Sequence, residues 1–265
     1  MEVLGYFASV CVGVVLGLLG GGGSILSIPI LVYLFHIDIV TASAYSLFIV
    51  GITSLAGAIQ KYRENRVSLQ TGMVFGLPSI AAIFATRKWV IPAIPEIIIQ
   101  TEGFFLTKRV FLLGLFAVLM IISAMVMIRR KGAPEPEDQE FRTGLLVIEG
   151  ILIGFITGLV GAGGGFLIIP TLVLLTGLPF KTAVGTSLFI IAINSLVGFL
   201  GDVLNYPVDW HFLTIISALA VAGIVIGNFL SRRISSTPLR ISFGWLTLLM
   251  GIFILIRELF GESIG

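Results

Sequence analysis

Two glycine clusters are the residues of this chain whose type and spacing could bind a ligand. Each is followed within a few residues by a proline, Pro29 or Pro170. Glycine is a poor helix former, so each cluster predicts a break in a helix, and a half-helix that begins at Ser24 or Gly165 would direct free backbone amides at an anion. The candidate substrate-binding positions are Gly20, Gly21, Gly22, Gly23 and Ser24 in the first cluster and Gly161, Ala162, Gly163, Gly164 and Gly165 in the second.

Neutral hydrogen-bonding side chains follow each cluster along the chain. We expect four of them to contribute to the same site: Ser46, Thr186, Ser187 and Asn194. Together with backbone amides, such groups could hold a small oxyanion without a buried cation. The alternative role is hydrogen bonding between helices. Ser46 and Ser187, like Ser54 and Ser195, recur at equivalent places in the two halves of the chain, which favours a role in the site.

Few side chains offer acid–base or metal chemistry. Glu149 lies inside an apolar stretch, where charge is costly, and it is the candidate for carrying a coupling proton. The alternative is that Glu149 reaches the membrane surface. Cys11 is the only cysteine, so neither an internal disulfide nor a cysteine metal cage can form. His36 and His211 have no matching nucleophile, and we expect no catalytic residue, metal or cofactor.

The segments that must position these groups are strongly apolar. Hydrophobic residues make up 57% of the 265 positions and charged residues 11%, well below a typical soluble domain. The net charge of +2 is too small for a nucleic-acid-binding protein. We therefore expect a protein of the lipid bilayer. The uncharged runs 3–37 and 150–180 are too long for one straight span, and each contains one glycine cluster.

The chain contains an internal duplication. When it is shifted by 141 positions, residues 17–58 align with 158–199 without a gap, and half of the pairs are identical. The duplication predicts a first membrane repeat over 1–128, a charged loop over 129–143 and a second repeat over 144–265. If each long run crosses the membrane once, the sixteen Lys and Arg residues divide equally between the two sides. If each run folds back, eleven lie on one side, so we prefer inverted repeats.

The repeated motifs resemble those of the sulfite exporter family TauE/SafE. The resemblance rests on G-x-x-G-x-G-G-G-x-x-x-x-P at 158–170, its variant at 17–29, and T-A-x-x-x-S-L-F at 41–48 and 182–189. It covers nearly the whole chain. It implies a permease of the cytoplasmic membrane for a small sulfur-containing or organic anion such as sulfite, sulfoacetate or another organosulfonate, usually an exporter.

The combined expectation is an all-α polytopic membrane protein with two homologous halves, inverted in topology, and about 8 spans or up to 10 membrane segments. Its first helix in each half is broken by glycine. We expect a secondary transporter coupled to protons, in which the halves alternate access to a site at the two breaks. The alternative is an anion channel built on the same half-helices. The sequence leaves open the choice of anion, the direction of transport and whether the chain forms a homodimer.

Overall fold

A bundle of eleven α-helices is formed by the residues that the computed structural model describes, which are 2–101, 104–129, 143–161, 163–203 and 208–260. The helices are α1 (Glu2–Leu19), α2 (Gly22–Tyr33), α3 (Ile39–Arg63), α4 (Leu69–Ala85), α5 (Ile91–Ala93), α6 (Lys108–Arg129), α7 (Thr143–Val160), α8 (Gly165–Leu175), α9 (Phe180–Val203), α10 (Trp210–Arg233) and α11 (Ser236–Phe260).

Seven helical segments of the described residues are long and apolar enough to cross a membrane. They are α3, α4 with its extension to Ala93, α6, α7, α9, α10 and α11. The apolar helices α1, α2 and α8 are shorter. With these three, the bundle contains ten apolar helical segments, in agreement with the upper value expected from the sequence. The chain is a multi-pass integral membrane protein.

The first long apolar run folds back on itself. A Cβ added at Gly23 would overlap Val12 and Leu16 of α1, and the ring of Phe35, just after α2, packs against Tyr6 with 6.1 Å between ring centroids. The end of α2 therefore lies beside the start of α1. Helix α2 begins at Gly22, two residues before the Ser24 start that the sequence suggested, because the break is confined to Gly20 and Gly21.

The second long run breaks at the equivalent place. Helix α7 ends at Val160, and Gly161, Gly163 and Gly164 all have positive φ angles. Residues at the start of α8 contact the middle of α9, and α9 itself begins five residues after α8 ends. Helix α8 therefore runs antiparallel to α9.

Helices α3 and α9 cross in the centre of the bundle. Gly51 of α3 packs against Leu196, whereas Gly198 of α9 packs against Leu47, so the two helices run in opposite directions. The shift of 141 that aligns the sequence pairs these same two helices. Both are largely buried and together carry seven buried Ser and Thr residues. They form the frame on which the glycine breaks are placed.

Helix pairs between the halves approach closely through small residues. A Cβ added at Gly13 or Gly227 would overlap the backbone of the facing helix in the α1–α10 pair. Gly150 and Gly154 of α7 have the same relation to α4. Such close backbone contacts stabilise helix association where no hydrophobic effect operates between helices. Helix α6 packs against α11 in an antiparallel pair, in which Gly244 faces Ile128 and Gly251 faces Ala117.

These contacts define two faces of the bundle. Helices α1, α3, α6 and α10 begin on one face, which we call the N-terminal face. Helices α4, α7, α9 and α11 begin on the opposite face. Large apolar side chains such as Leu77, Phe229 and Leu249 are exposed on the outside of the bundle, as expected for contact with lipid.

The connection between α4 and α6 is more complex than the sequence suggested. The sequence of residues 87–109, which is longer and more charged than its counterpart between Arg232 and Arg240, predicts an interfacial helix or a lid. In the structure α4 continues through a π-helical turn, Thr86–Val90, into α5. An antiparallel pair of strands follows, β1 (Ile97–Thr101) and β2 (Phe104–Thr107). This strand pair lies on the N-terminal face, and the π-helical turn carries Arg87 into the bundle.

Candidate functional site

The two glycine breaks meet inside the bundle. A Cβ added at Gly21 would overlap the backbone of Gly165, so only glycine allows this approach. Gly20 has φ +76°, and Gly161, Gly163 and Gly164 have φ angles of +79°, +66° and +74°. Residues other than glycine rarely adopt these angles. The sequence predicted both the breaks and their convergence, and the structure brings them into contact.

The hydroxyl groups of the first break are already used within their own helix. Ser24 donates to the carbonyl of Gly21 at 2.7 Å, and Ser27 donates to that of Gly23 at 3.1 Å. These bonds satisfy carbonyls at the helix start rather than leaving donors free for a ligand. Gly22 and Gly23 continue as the first turn of α2.

The second break is surrounded by hydroxyls that have no partner. A Cβ at Gly163 would lie 2.8 Å from the Oγ of Ser195, and Gly164 packs against Thr157. Both hydroxyl groups are buried, and neither has a hydrogen-bond partner among the described residues. A buried polar group without a partner usually marks a place where water, an ion or a ligand binds. Ala162, also predicted for the site, lies outside the described residues.

The predicted donors on α3 and α9 divide into used and unused groups. Ser187 donates to the carbonyl of Val184 at 2.8 Å, and the amide nitrogen of Asn194 donates to Ser79 at 2.6 Å. Ser46 Oγ, Ser54 Oγ and Asn194 Oδ1 are buried and accept or donate no hydrogen bond in the described part of the chain.

Thr186 and the two prolines lie apart from the contact between the breaks. Thr186 Oγ1 accepts the backbone N–H of Ser68 at 2.9 Å, at the start of α4. Pro29 and Pro170 lie inside α2 and α8, which continue past them. Proline has no N–H, so Pro170 cannot donate to the carbonyl of Phe166. Ser123 of α6 donates to that carbonyl instead, which ties α8 to α6.

A buried ion pair borders the second break, and the sequence reading missed it. Arg87 and Asp202 have side chains that are 0% and 1% exposed, with 3.4 Å between Nη1 and Oδ2. Arg87 Nη1 also donates to Ser43 at 2.9 Å, and a Cβ at Gly161 would overlap Arg87 Nη2. The candidate site therefore has a buried cation beside its neutral donors, which the sequence analysis had not included.

A second buried cation lies at the opposite end of the central helices. Lys61, near the end of α3, donates to Ser231 at 3.0 Å and lies 3.6 Å from a carboxylate oxygen of Glu64. Nearby, Asn228 donates to Gln60 at 2.6 Å. The shift of 141 aligns Lys61 with Asp202. In the sequence, Lys61 and Asp202 each follow an uncharged run and therefore resemble residues at the membrane surface. In the structure, helices α3 and α9 include these positions, and both side chains are buried.

Glu149, the predicted coupling residue, is distant from the glycine breaks. It is half-buried on α7, twelve residues before Gly161. At 1.5 Å per residue, this separation is about 18 Å along the helix. The described residues contain no group of three His, Cys, Asp or Glu side chains that could hold a metal ion.

Comparison with known proteins agrees with this architecture. The family described as sulfite exporter TauE/SafE matches residues 6–254. A probable membrane transporter protein of Xylella fastidiosa strain 9a5c is 31% identical, covering 93% of this chain and 92% of that protein. A probable membrane transporter protein of Methanocaldococcus jannaschii is 26% identical, covering 93% and 94%. No solved structure is significantly similar.

Proposed function

Because the chain belongs to the sulfite exporter TauE/SafE family, we propose that this membrane transporter carries a small sulfur-containing or organic anion through a site at its two glycine breaks. The observation that carries the proposal is the second break, where Arg87 and the hydroxyls of Ser195 and Thr157, which have no partner among the described residues, surround buried glycine backbone. A cation, hydroxyl donors and a helix start together suit an oxyanion such as sulfite or a sulfonate.

Alternating access is supported by the directions of equivalent helices. Helices α3 and α9 run antiparallel, and so do α6 and α11, as inverted repeats require. With these directions, eight of the described Lys and Arg residues belong to the face opposite the N-terminal face, and five belong to the N-terminal face. The positive-inside rule then assigns the opposite face to the cytoplasm. The proposed orientation in the plasma membrane therefore has the N-terminal face outside.

The contact between Gly21 and Gly165 supports a transporter over a channel. Their backbones meet without space for a side chain, so an anion must separate the breaks to enter the site. A transporter opens such a site to one side at a time, whereas a channel needs a continuous path. We assign export as the direction, in line with the family description, and protons as the coupling ion. Glu149, the proton carrier predicted from the sequence, is the alternative to a carrier at the breaks, from which it lies about 18 Å along α7.

The test is anion counterflow in proteoliposomes with sulfite, sulfoacetate and methanesulfonate. Wild-type protein should exchange at least one of these anions with saturable kinetics. Gly163→Ala adds a methyl group beside Ser195 Oγ and forces alanine into a conformation that costs about 1–2 kcal/mol, so exchange should fall strongly.

Gly114→Ala is the matched control, because a Cβ at Gly114 has no neighbour within 4 Å. This variant should exchange anions like the wild type. If Gly163→Ala exchanges anions as fast as the wild type, the anion does not bind at the second break. If the anion flux of the wild type does not saturate with concentration, a channel is favoured over a transporter.

A further inference from the structure

The Arg87–Asp202 pair leaves the hydrogen-bonding capacity of its carboxylate unused in the described part of the chain. Asp202 is 1% exposed, yet neither of its carboxylate oxygens has a hydrogen-bond partner in the described part of the chain. Its only recorded ion-pair partner there is Arg87, at 3.4 Å, which is longer than a charge-assisted hydrogen bond. Burying a carboxylate with one distant countercharge is costly. Asp202 therefore depends on Arg87 for its negative charge.

Arg87 faces the candidate anion site as well as Asp202. Nη1 lies toward Ser43 and Asp202, while Nη2 packs against Gly161 at the second break. An anion bound at this break would compete with Asp202 for the same guanidinium group.

Other charged groups near α9 are engaged elsewhere. The Nζ of Lys88, next to Arg87, lies over the rings of Phe84 and Trp89, at 5.7 and 5.5 Å from their centroids. Asp38 and Asp209 accept backbone N–H groups at the starts of α3 and α10. Glu258, at the same face of the bundle, accepts hydrogen bonds from Tyr33 and Arg109. The guanidinium group of Arg257 stacks on the ring of Tyr33, and the side chain of His211 is exposed.

We propose that the transported anion binds Arg87 and displaces Asp202, which then takes up a proton, so that one proton accompanies each anion and an outward gradient of the anion drives export of the pair. The proposal rests on the proposed anion transport and identifies its cation and its coupling group. A new O–H bond forms on the carboxylate, with the proton taken from water, and no group is oxidised or reduced. A buried carboxylate that has lost its countercharge is neutralised rather than left ionised.

The charge balance of the site also defines the substrate. The empty site contains one positive and one negative charge. With a monovalent anion and one proton bound, it contains Arg87, the anion and a neutral Asp202, so it is neutral again. A divalent anion would leave an uncompensated charge in the membrane interior, which is costly. The site should therefore bind a monovalent sulfonate more tightly than a divalent anion of similar size.

Proton uptake during anion binding tests this proposal directly. The probe is methanesulfonate, whose single charge does not change in the neutral pH range, added to purified protein in weakly buffered detergent solution with a pH indicator. Wild-type protein should take up one proton per bound anion, and its affinity should fall about tenfold for each unit rise in pH. Asp202→Asn should bind methanesulfonate with an affinity independent of pH and take up no proton.

Three further single variants and one double variant separate this role from a structural one. Arg87→Gln should lose methanesulfonate binding; if it does not fold, Arg87→Gln/Asp202→Asn keeps the interior neutral and should also fail to bind. Glu96→Gln changes a carboxylate that is 85% exposed and should behave like wild type. Glu149→Gln should keep proton uptake.

The outcomes distinguish the two proposals. Proton uptake that persists in Asp202→Asn, or is lost in Glu149→Gln instead, overturns the role of Asp202. Binding that persists without Arg87 overturns the role of the cation. If the wild-type protein exchanges anions without proton uptake, the proposed function stands and this inference is overturned. If the wild-type protein binds none of methanesulfonate, sulfite and sulfoacetate, both the proposed function and this inference are overturned.

Discussion

At the scale of single residues, the hydroxyls of Ser54 on α3 and Ser195 on α9 allow a test of whether both repeats contribute to anion binding. Both side chains are 0% exposed and lack hydrogen-bond partners in the described residues. Removing such a hydroxyl relieves an unpaired polar group, so Ser54→Ala and Ser195→Ala should change the free energy of unfolding by less than about 1 kcal/mol or increase it. If these groups bind the anion, its affinity should fall severalfold, more in Ser195→Ala, because Ser195 lies beside Gly163.

Thermal unfolding and anion titration of the same preparations check this prediction. Ser9→Ala is the control, since Ser9 is equally buried but donates to the carbonyl of Gly5 at 2.8 Å, away from the breaks. It should lower stability slightly and leave anion affinity unchanged. A loss of stability without loss of affinity in Ser195→Ala would mean that this hydroxyl serves only packing.

The sequence was informative about the glycines and uninformative about the ion pair for physical reasons. Positive φ angles and backbone contact require glycine, so Gly161, Gly163 and Gly164 could be identified from residue type. Arg87 and Asp202 are separated by more than a hundred positions, and each follows an apolar run. Only the π-helical turn and the length of α9 bring them together. Their burial depends on packing that the local sequence does not specify.

At the scale of elements, the link between α6 and α8 holds the second half-helix in place. Pro170 leaves the carbonyl of Phe166 without a donor inside its own helix, and Ser123 supplies one. Ser123→Ala should therefore destabilise the protein by about 1–2 kcal/mol, because the buried carbonyl loses its partner. Chemical unfolding in detergent gives this value.

A double-mutant cycle with Pro170→Ala isolates that link. Alanine restores the backbone N–H at position 170, so Ser123→Ala should cost much less in the Pro170→Ala protein than in the wild type. Equal costs in the two backgrounds would show that Ser123 acts through packing and not through the Phe166 carbonyl.

The elements themselves were predicted unevenly. Apolar length and glycine placement were sufficient for the long helices and for the two breaks, because a membrane span has a narrow range of lengths. The strands β1 and β2 were not foreseen, because the apolar runs at 97–99 and 104–106 are too short to distinguish a strand from a piece of interfacial helix. Isoleucine favours strands where the chain leaves the helical bundle, but the sequence does not mark where that happens.

At the scale of the whole molecule, the arrangement of the halves is the feature on which alternating access depends. The duplication was visible in the sequence, and the distribution of Lys and Arg favoured inversion. The antiparallel crossing of α3 and α9, by contrast, needs contacts between residues far apart in the chain, such as Gly51 with Leu196. Those contacts now support the same arrangement independently.

Labelling of single cysteines distinguishes inverted from parallel halves. Parallel repeats place the end of α3 and the start of α10 on the same side of the membrane, whereas inverted repeats place them on opposite sides. Cys11 is the only native cysteine, so Cys11→Ala provides a background without thiols. Tyr62 near the end of α3 and His211 near the start of α10 are both exposed and suit replacement.

In intact cells, a maleimide that cannot cross the membrane should label His211→Cys and spare Tyr62→Cys until the membrane is permeabilised. The physical reason is the excess of basic residues around Tyr62, which holds that face in the cytoplasm. Labelling of both positions from outside, or of neither, would require parallel halves. Because α3 and α9 run antiparallel, they could then not be equivalent spans of two parallel repeats. The two halves could also not exchange conformations to open the site first to one side of the membrane and then to the other.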